Sequence, residues 1–202
     1  MNGAQSLIAS LVKSDVEVCF SNPGTSEMHF VAALDSVPEM RGILCLFEGV
    51  ASGAADGYAR MMGKPASTLF HLGPGMGNAI ANLHNAQKGF TPLVNIVGEH
   101  ATHHRQYEAP LTSNIEGYAE PFSKWLRVSE SAKDVGADTA DAIAASQMDV
   151  PGIATLLLPA NTAWDDGGLV AEKIPFSGPK TVGSEVIRDA ARRLEKANKA
   201  VM

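Results

Sequence analysis

Two apolar rhythms alternate along the chain. Between residues 3 and 13, Ala4, Leu7, Ile8, Leu11 and Val12 recur at helical spacing, whereas Val16 to Phe20 is a short, nearly continuous apolar run of strand type. The same alternation continues downstream. Helical patterns over 26–35, from Glu48 onward, from the end of a Gly73 loop through Gln87, and over 132–147 are interleaved with strand patterns at 42–47, 66–70, 93–97, 124–128 and 153–158. Short strands separated by helix-length connections predict an α/β three-layer sandwich, a parallel sheet of about six strands with crossover helices on its faces. Residues 99–122 fit neither rhythm. That stretch is too long for an ordinary connection and is a candidate functional loop.

The pattern changes after Pro159. Pro159, Pro175 and Pro179, with Asp165-Asp166 and Gly167-Gly168 among few apolar residues, mark a linker, followed by a charged amphipathic helix over 183–198. The chain thus divides into a domain at 1–165, a linker at 166–182 and, at 183–202, the start of a truncated further domain.

Composition narrows the function classes. At 202 residues, 45% hydrophobic and 19% charged, the chain can bury one substantial core, and a net charge of −6 argues against nucleic acid or an anionic membrane as partner. No segment has the length and apolarity of a membrane span, and the N-terminus lacks a signal-peptide pattern, so a cytoplasmic protein is expected. Cys19 and Cys45 both fall in strand patterns, where reduced structural thiols are expected rather than a disulfide.

Candidate chemistry lies at predicted strand ends, where parallel sheets bind ligands. Glu48 closes the apolar run Ile43 to Phe47 and opens a helix of small residues, with no Lys or Arg after it until Arg60. A buried carboxylate in such surroundings suits proton transfer, whereas an exposed one is an ordinary first-turn residue favoured by the helix dipole. Asn22-Pro23-Gly24-Thr25 follows the first strand, its Gly allowing close approach to a flat ring, although Thr25 or Ser26 would equally cap a plain turn. Then comes His71-Leu72-Gly73-Pro74-Gly75-Met76-Gly77-Asn78, which partly imitates a dinucleotide fingerprint. It sits at the third strand, and no acidic residue ends the next one. His71 itself reads either as a structural histidine or as an acid/base. His100, His103 and His104 invite a metal reading, but without a nearby Cys a polar interface loop is the better one.

The segment Glu48 to Arg60 with Gly63-Lys64-Pro65, together with Asn22-Pro23-Gly24-Thr25 and Gly73-Pro74-Gly75, resembles the pyrimidine-binding domain of thiamine diphosphate enzymes of the acetolactate synthase, benzoylformate decarboxylase and pyruvate decarboxylase group. The resemblance spans about residues 3 to 165. It implies the thiamine diphosphate-binding fold, with Glu48 hydrogen-bonded to the aminopyrimidine and with Asn22, Pro23, Gly24, Gly73, Gly75 and Asn78 lining the cofactor. His71, 23 positions after Glu48, is placed like the catalytic His of benzoylformate decarboxylase, and Thr25 like its substrate-binding Ser. Gly3-Ala4-Gln5-Ser6-Leu7 is equally like acetolactate synthase. A 2-keto acid substrate and decarboxylase or carboligase chemistry are thereby implied. So is Mg²⁺, held with the diphosphate by a Gly-Asp-Gly module that these residues lack and that a neighbouring subunit of a homodimer or homotetramer would supply. Alone the chain should not catalyse. A separate subunit of a split keto-acid decarboxylase and a plain nucleotide-binding module are the alternatives.

Overall fold

The structure, a computed structural model, describes residues 1–176 and 181–199. Helix α1 (Gly3–Lys13) is fixed at its start by a capping box. The Asn2 side chain accepts from the Gln5 N–H at 2.9 Å, and the Gln5 side chain accepts from the Asn2 N–H at 3.1 Å. Its stripe Ala4, Leu7, Ile8 and Leu11 is wholly buried. The chain then runs through β1 (Val18–Ser21), α2 (Met28–Leu34), β2 (Arg41–Leu44), α3 (Glu48–Met62), β3 (Ala66–His71) and α4 (Leu72–Lys88). After β4 (Leu93–Glu99) come α5 (Ile115–Ala119), β5 (Trp125–Val128), α6 (Val135–Gln147), β6 (Ile153–Pro159), α7 (Ala160–Trp164) and α8 (Ser184–Lys196).

The six strands form one sheet in the order β2-β1-β3-β4-β6-β5, and every neighbouring pair is parallel. Successive residues of the central strands face opposite layers. Leu69, Ile96 and Leu156 join Leu7, Ile8, Phe30 and Ile143 in one core, under α1, α2 and α6. Phe70, Val97 and Leu157 join Met76, Leu83 and Ile115 in the other, under α3, α4 and α5. Because both faces are covered, β3, β4 and β6 are buried almost throughout, which is why they read as apolar runs rather than alternating ones. Within the second layer a polar chain crosses the sheet. The buried Thr68 hydroxyl donates to Asn95 Oδ1 at 2.8 Å, and Asn95 Nδ2 donates to Thr155 Oγ1 at 3.5 Å.

Three local expectations change. Strand β2 ends at Leu44 rather than residue 47, and Leu46 is 91% exposed, because β2 is an edge strand with no neighbour to continue the ladder. The glycine segment after His71 is the first turn of α4, entered through Leu72 at φ +49°, and not a loop. Residues 99–122 contain a short 3₁₀ turn at Arg105–Tyr107 and helix α5. Beyond α7, residues 165–176 add no helix or strand but are tied along α1: Asp166 bridges Asn2, the Gly167 and Gly168 N–H groups donate to Met1 O, and the Ala171 N–H donates to Ser10 Oγ at 3.0 Å. Helix α8 buries none of its residues, and Val186, Ile187 and Leu194 are exposed on it. The parts of the linker and terminal assignments at 177–180 and 200–202 lie outside the described residues.

Cys19 in β1 and Cys45 just past β2 are both free and buried. Burial pushes the Cys19 thiol up to about 12 and raises that of Cys45. Neither thiol should react with iodoacetamide in the native protein at pH 8, and both should react once guanidinium unfolds it. Native labelling of Cys19 at the rate of a free thiol would contradict this packing.

Candidate functional site

In this sheet the order of strands reverses between β1 and β3. The chain leaving β1 turns to α2 on one face, and the chain leaving β3 turns to α4 on the other, so a crevice opens outside their carboxyl ends. Asn22 enters it held by its N–H to Leu69 O at 3.2 Å. Gly24 then lies against the His71 ring. A Cβ at that position would stand 2.3 Å from His71 Nδ1 and Cε1, so a side chain there would expel either the loop or the imidazole. Thr25 opens the 3₁₀ turn Thr25–Glu27 and is exposed at the rim.

The centre of this crevice is a residue with no role in the sequence reading, Glu27. Glu27 is 2% exposed, and its Oε2 accepts the Gly24 N–H at 2.7 Å and lies 2.7 Å from His71 Nδ1. Its Oε1 has no hydrogen-bond partner among the described residues and is packed where a Cβ on Gly98 would be, 1.6 Å from that position. Burial raises the Glu27 carboxyl above the ordinary carboxylate range, and the neighbouring His71 opposes that shift. At 2.7 Å the Oε2–Nδ1 contact is a hydrogen bond between the carboxyl and the ring. A signal for this was available: Glu27 stands third after Gly24, the capping-box position that reaches back to the loop N–H.

A second cluster forms where α3 meets α4. Glu48 is the first residue of α3, 5% exposed, and its Oε2 accepts from Asn78 Nδ2 at 2.9 Å. Gly75 packs on the same carboxylate, its missing Cβ 2.9 Å from Glu48 Oε1. The helices can approach because small residues line the seam. Ser52 donates to Gly49 O at 3.1 Å, and Asn82 Nδ2 donates to Gly49 O at 2.6 Å. Gly73 abuts Ser113 instead, which ties the start of α4 to the 99–122 segment. The structure thus gathers Gly24 with His71, and Glu48 with Gly75 and Asn78. It leaves Thr25 on the rim and Pro23 half-buried beside Gly24. His100 and His104 stack with ring centroids 5.6 Å apart.

Residues 1–120 match the family described as thiamine pyrophosphate enzyme, N-terminal TPP binding domain. The chain belongs to this family. It is 61% identical over 175 residues to IlvX of Mycobacterium tuberculosis, a protein that bears the name of an acetolactate synthase large subunit, covering 87% of this chain and 34% of that one. It is 36% identical over 117 residues to benzoylformate decarboxylase of Pseudomonas aeruginosa, covering 57% of this chain and 22% of the enzyme. Among solved structures, the thiamine diphosphate-dependent 4-hydroxybenzoylformate decarboxylase of Rhodococcus jostii RHA1 superposes with a TM-score of 0.83 at 23% identity, over 98% of this chain and 38% of that one. That likeness is one of fold. The chain spans about a third of the length of IlvX.

As an N-terminal thiamine diphosphate-binding domain, the chain holds a buried carboxylate, Glu48, at the head of α3, of the kind that can accept a hydrogen bond from a protonated ring nitrogen, and the bare Cα of Gly75 makes room for that carboxylate. Among the described residues no group of three or more His, Cys, Asp or Glu side chains could hold a metal ion.

The raised Glu27 carboxyl makes a pH prediction with a definite sign. The native state binds this proton more tightly than the unfolded chain does, so stability falls as pH rises from the unfolded carboxylate range through the Glu27 value. Glu27→Gln cannot titrate. Its Tm relative to the wild type should therefore climb as pH rises from the ordinary carboxylate range of about 4, as followed by circular dichroism melts. A constant offset as pH rises would contradict the assignment. Gly98→Ala should cost about 2 kcal/mol by driving a methyl into Glu27 Oε1, and combining it with Glu27→Ala should recover much of the loss.

Proposed function

We propose that this chain supplies the pyrimidine-binding half of the active site of a thiamine diphosphate-dependent 2-keto acid decarboxylase or carboligase. One observation carries the reading. Glu48 is held at the head of α3, out of water, by Asn78 and against Gly75, an arrangement that costs stability and serves proton exchange with a ring. When bound, thiamine diphosphate supplies a carbanion that adds to the substrate carbonyl and stabilises the charge left by decarboxylation. Glu48 would hold a proton at the pyrimidine nitrogen, and the Gly24 loop would lie along the ring.

His71 and Glu27 divide a different task. With its Nδ1 tied to Glu27 Oε2, the imidazole has a fixed orientation and only Nε2 left for substrate, so the pair can take up or release a proton in the crevice. Thr25 at the rim would contact the keto acid. This histidine–carboxylate pair favours a benzoylformate decarboxylase-like substrate site, whereas the 61% identity to IlvX favours an acetolactate synthase-like one. Mg²⁺ and the diphosphate would be bound by a separate module from a neighbouring subunit, so the isolated chain would be inactive. No helix among the described residues is long and apolar enough to cross a membrane, and a cytoplasmic location is part of the proposal.

Assays of the full-length protein with pyruvate and benzoylformate, with and without thiamine diphosphate and Mg²⁺, test the reading. Glu48→Gln should lower kcat by at least about a hundredfold, and undiminished turnover would remove the cofactor assignment. Normal rates for His71→Ala beside a dead Glu48→Gln would leave the acetolactate synthase-like site as the better account.

The same reading assigns a dimer interface. Phe47 and Val50 are exposed beside Gly53 and Ala54, opening an apolar groove of about 610 Å³ next to Asn78. Full-length protein should sediment as a homodimer or homotetramer, and Val50→Glu should shift it to monomer. A wild-type monomer at high concentration would refute the interface.

A further inference from the structure

The sheet has a second reversal. The chain leaving β4 passes to α5, which packs in the core with Phe70, while the chain leaving β6 passes to α7, whose Ala163 packs in the core with Leu7. Two adjacent parallel strands whose connections depart to opposite faces leave a crevice between their carboxyl ends, as β1 and β3 do. A pocket of about 160 Å³ occupies it, lined by Glu99, Leu157, Arg105 and the residues from Thr112 to Glu116. This is room for about five waters, or a molecule of similar heavy-atom count.

Its chemistry is specific. Arg105 Nε and Nη2 are buried and have no hydrogen-bond partner among the described residues. Those two nitrogens form the side-on edge of the guanidinium, which grips both oxygens of a carboxylate. Glu99 does not fill that edge. Its Oε2 stands 3.5 Å from Nη2 without a hydrogen bond, and its Oε1 already accepts the His100 N–H at 2.7 Å. Buried donors left open in this way carry a desolvation cost that a bound oxyanion would offset.

The remaining walls select which oxyanion. Glu99 forms an ion pair with Arg105 and balances its charge, and Glu116 adds a further negative charge at the border, so a dianion such as phosphate is repelled more strongly than a monocarboxylate. The Ser113 hydroxyl, packed against Gly73 at the pocket wall, donates to Leu111 O at 3.1 Å and so keeps lone pairs that can accept from a donor. Leu157 and Ile115 supply an apolar wall that suits a short aliphatic group.

We propose that the crevice between the ends of β4 and β6 binds a small monocarboxylate carrying a hydrogen-bond donor on its α-carbon, an α-hydroxy or α-amino acid, with the carboxylate on the Arg105 edge and the donor on Ser113. The site is separate from the His71 crevice and its occupation is read without turnover. Hydroxy and amino acids share this chemistry. They differ at Glu116, whose charge favours an ammonium but not a hydroxyl.

The test is a titration of the ¹⁵N-labelled 202-residue chain with L-lactate, L-alanine, acetate and inorganic phosphate, following the Arg105 Nε–H resonance, assigned by its loss in Arg105→Lys. L-lactate or L-alanine should shift it saturably with a Kd of about 1 mM, acetate should bind at least about fivefold more weakly, and phosphate should give no saturable shift. By calorimetry, Arg105→Lys should weaken binding at least about tenfold while its melting transition stays at the wild-type position, since a lysine cannot reproduce the two-donor edge. Glu116→Gln should weaken alanine and leave lactate unchanged if the amino acid is the ligand. Absence of a saturable shift with lactate and alanine up to about 50 mM would overturn the site. Wild-type affinity in Arg105→Lys would overturn the assignment to the guanidinium, and acetate binding as tightly as lactate would overturn the donor on Ser113.

Discussion

A carboxylate leaves water only where other groups replace its hydration, and the functional end of this sheet is organised around doing that twice. Glu27 is lodged under the Gly24 loop and against Gly98, and Glu48 is lodged against Gly75 and Asn78. In each case a missing side chain makes the space. Gly98 sits opposite His71 in the β3–β4 register, so removal of one Cβ from β4 admits Glu27 to the side of the sheet that His71 faces. The parallel ladder sets where the histidine ends, and the glycine decides what can lie beside it.

The same economy of side chains shapes the α3–α4 pair. Gly49, Ser52, Ala55 and Ala79 let the helices approach until side chains of one helix hydrogen-bond the backbone of the other, which fixes the Glu48 carboxylate relative to the start of α4. Small residues give little apolar burial of their own. The pair is anchored from below by Met76 and Leu83 on Phe70 and Leu93, so its outer surface is left to carry Phe47 and Val50 in the open. A seam built for close approach therefore leaves an outer face on which large apolar side chains stay exposed.

The layers, strand count and parallel sense were legible because central strands covered on both faces keep an apolar signature that no surface strand imitates. Glu48, Gly75 and Asn78 were legible as a set through a family motif. Glu27 was not. A lone Glu in a polar loop reads as solvated, and its burial depends on Gly98, 71 positions downstream and adjacent only through the β1–β3–β4 order. The helical state of Gly73 to Gly77 was hidden for a different reason. Glycine and proline usually break helices, yet Pro74 lies in the first turn, where a missing N–H is harmless, and Leu72 takes the left-handed turn that admits the chain to α4. Strand β2 was overextended because Leu46 and Phe47 are apolar for an outer surface rather than for the core.

Glu27 also shows how stability and function separate in this fold. Gln at that position would keep the size and could still bond to His71, without the penalty of an ion with one unpaired oxygen. Selection for stability alone would favour the amide. A carboxyl group raised above its ordinary range by burial and hydrogen-bonded to a histidine at 2.7 Å can pass a proton to it, which an amide cannot. The pair lies at the first reversal of strand order, where a ligand has access from the open ends of β1 and β3. The cost of burying this carboxyl is offset only in part by its bonds to the Gly24 N–H and to His71, since its Oε1 has no hydrogen-bond partner among the described residues. What the amide could not supply is a titratable group beside His71.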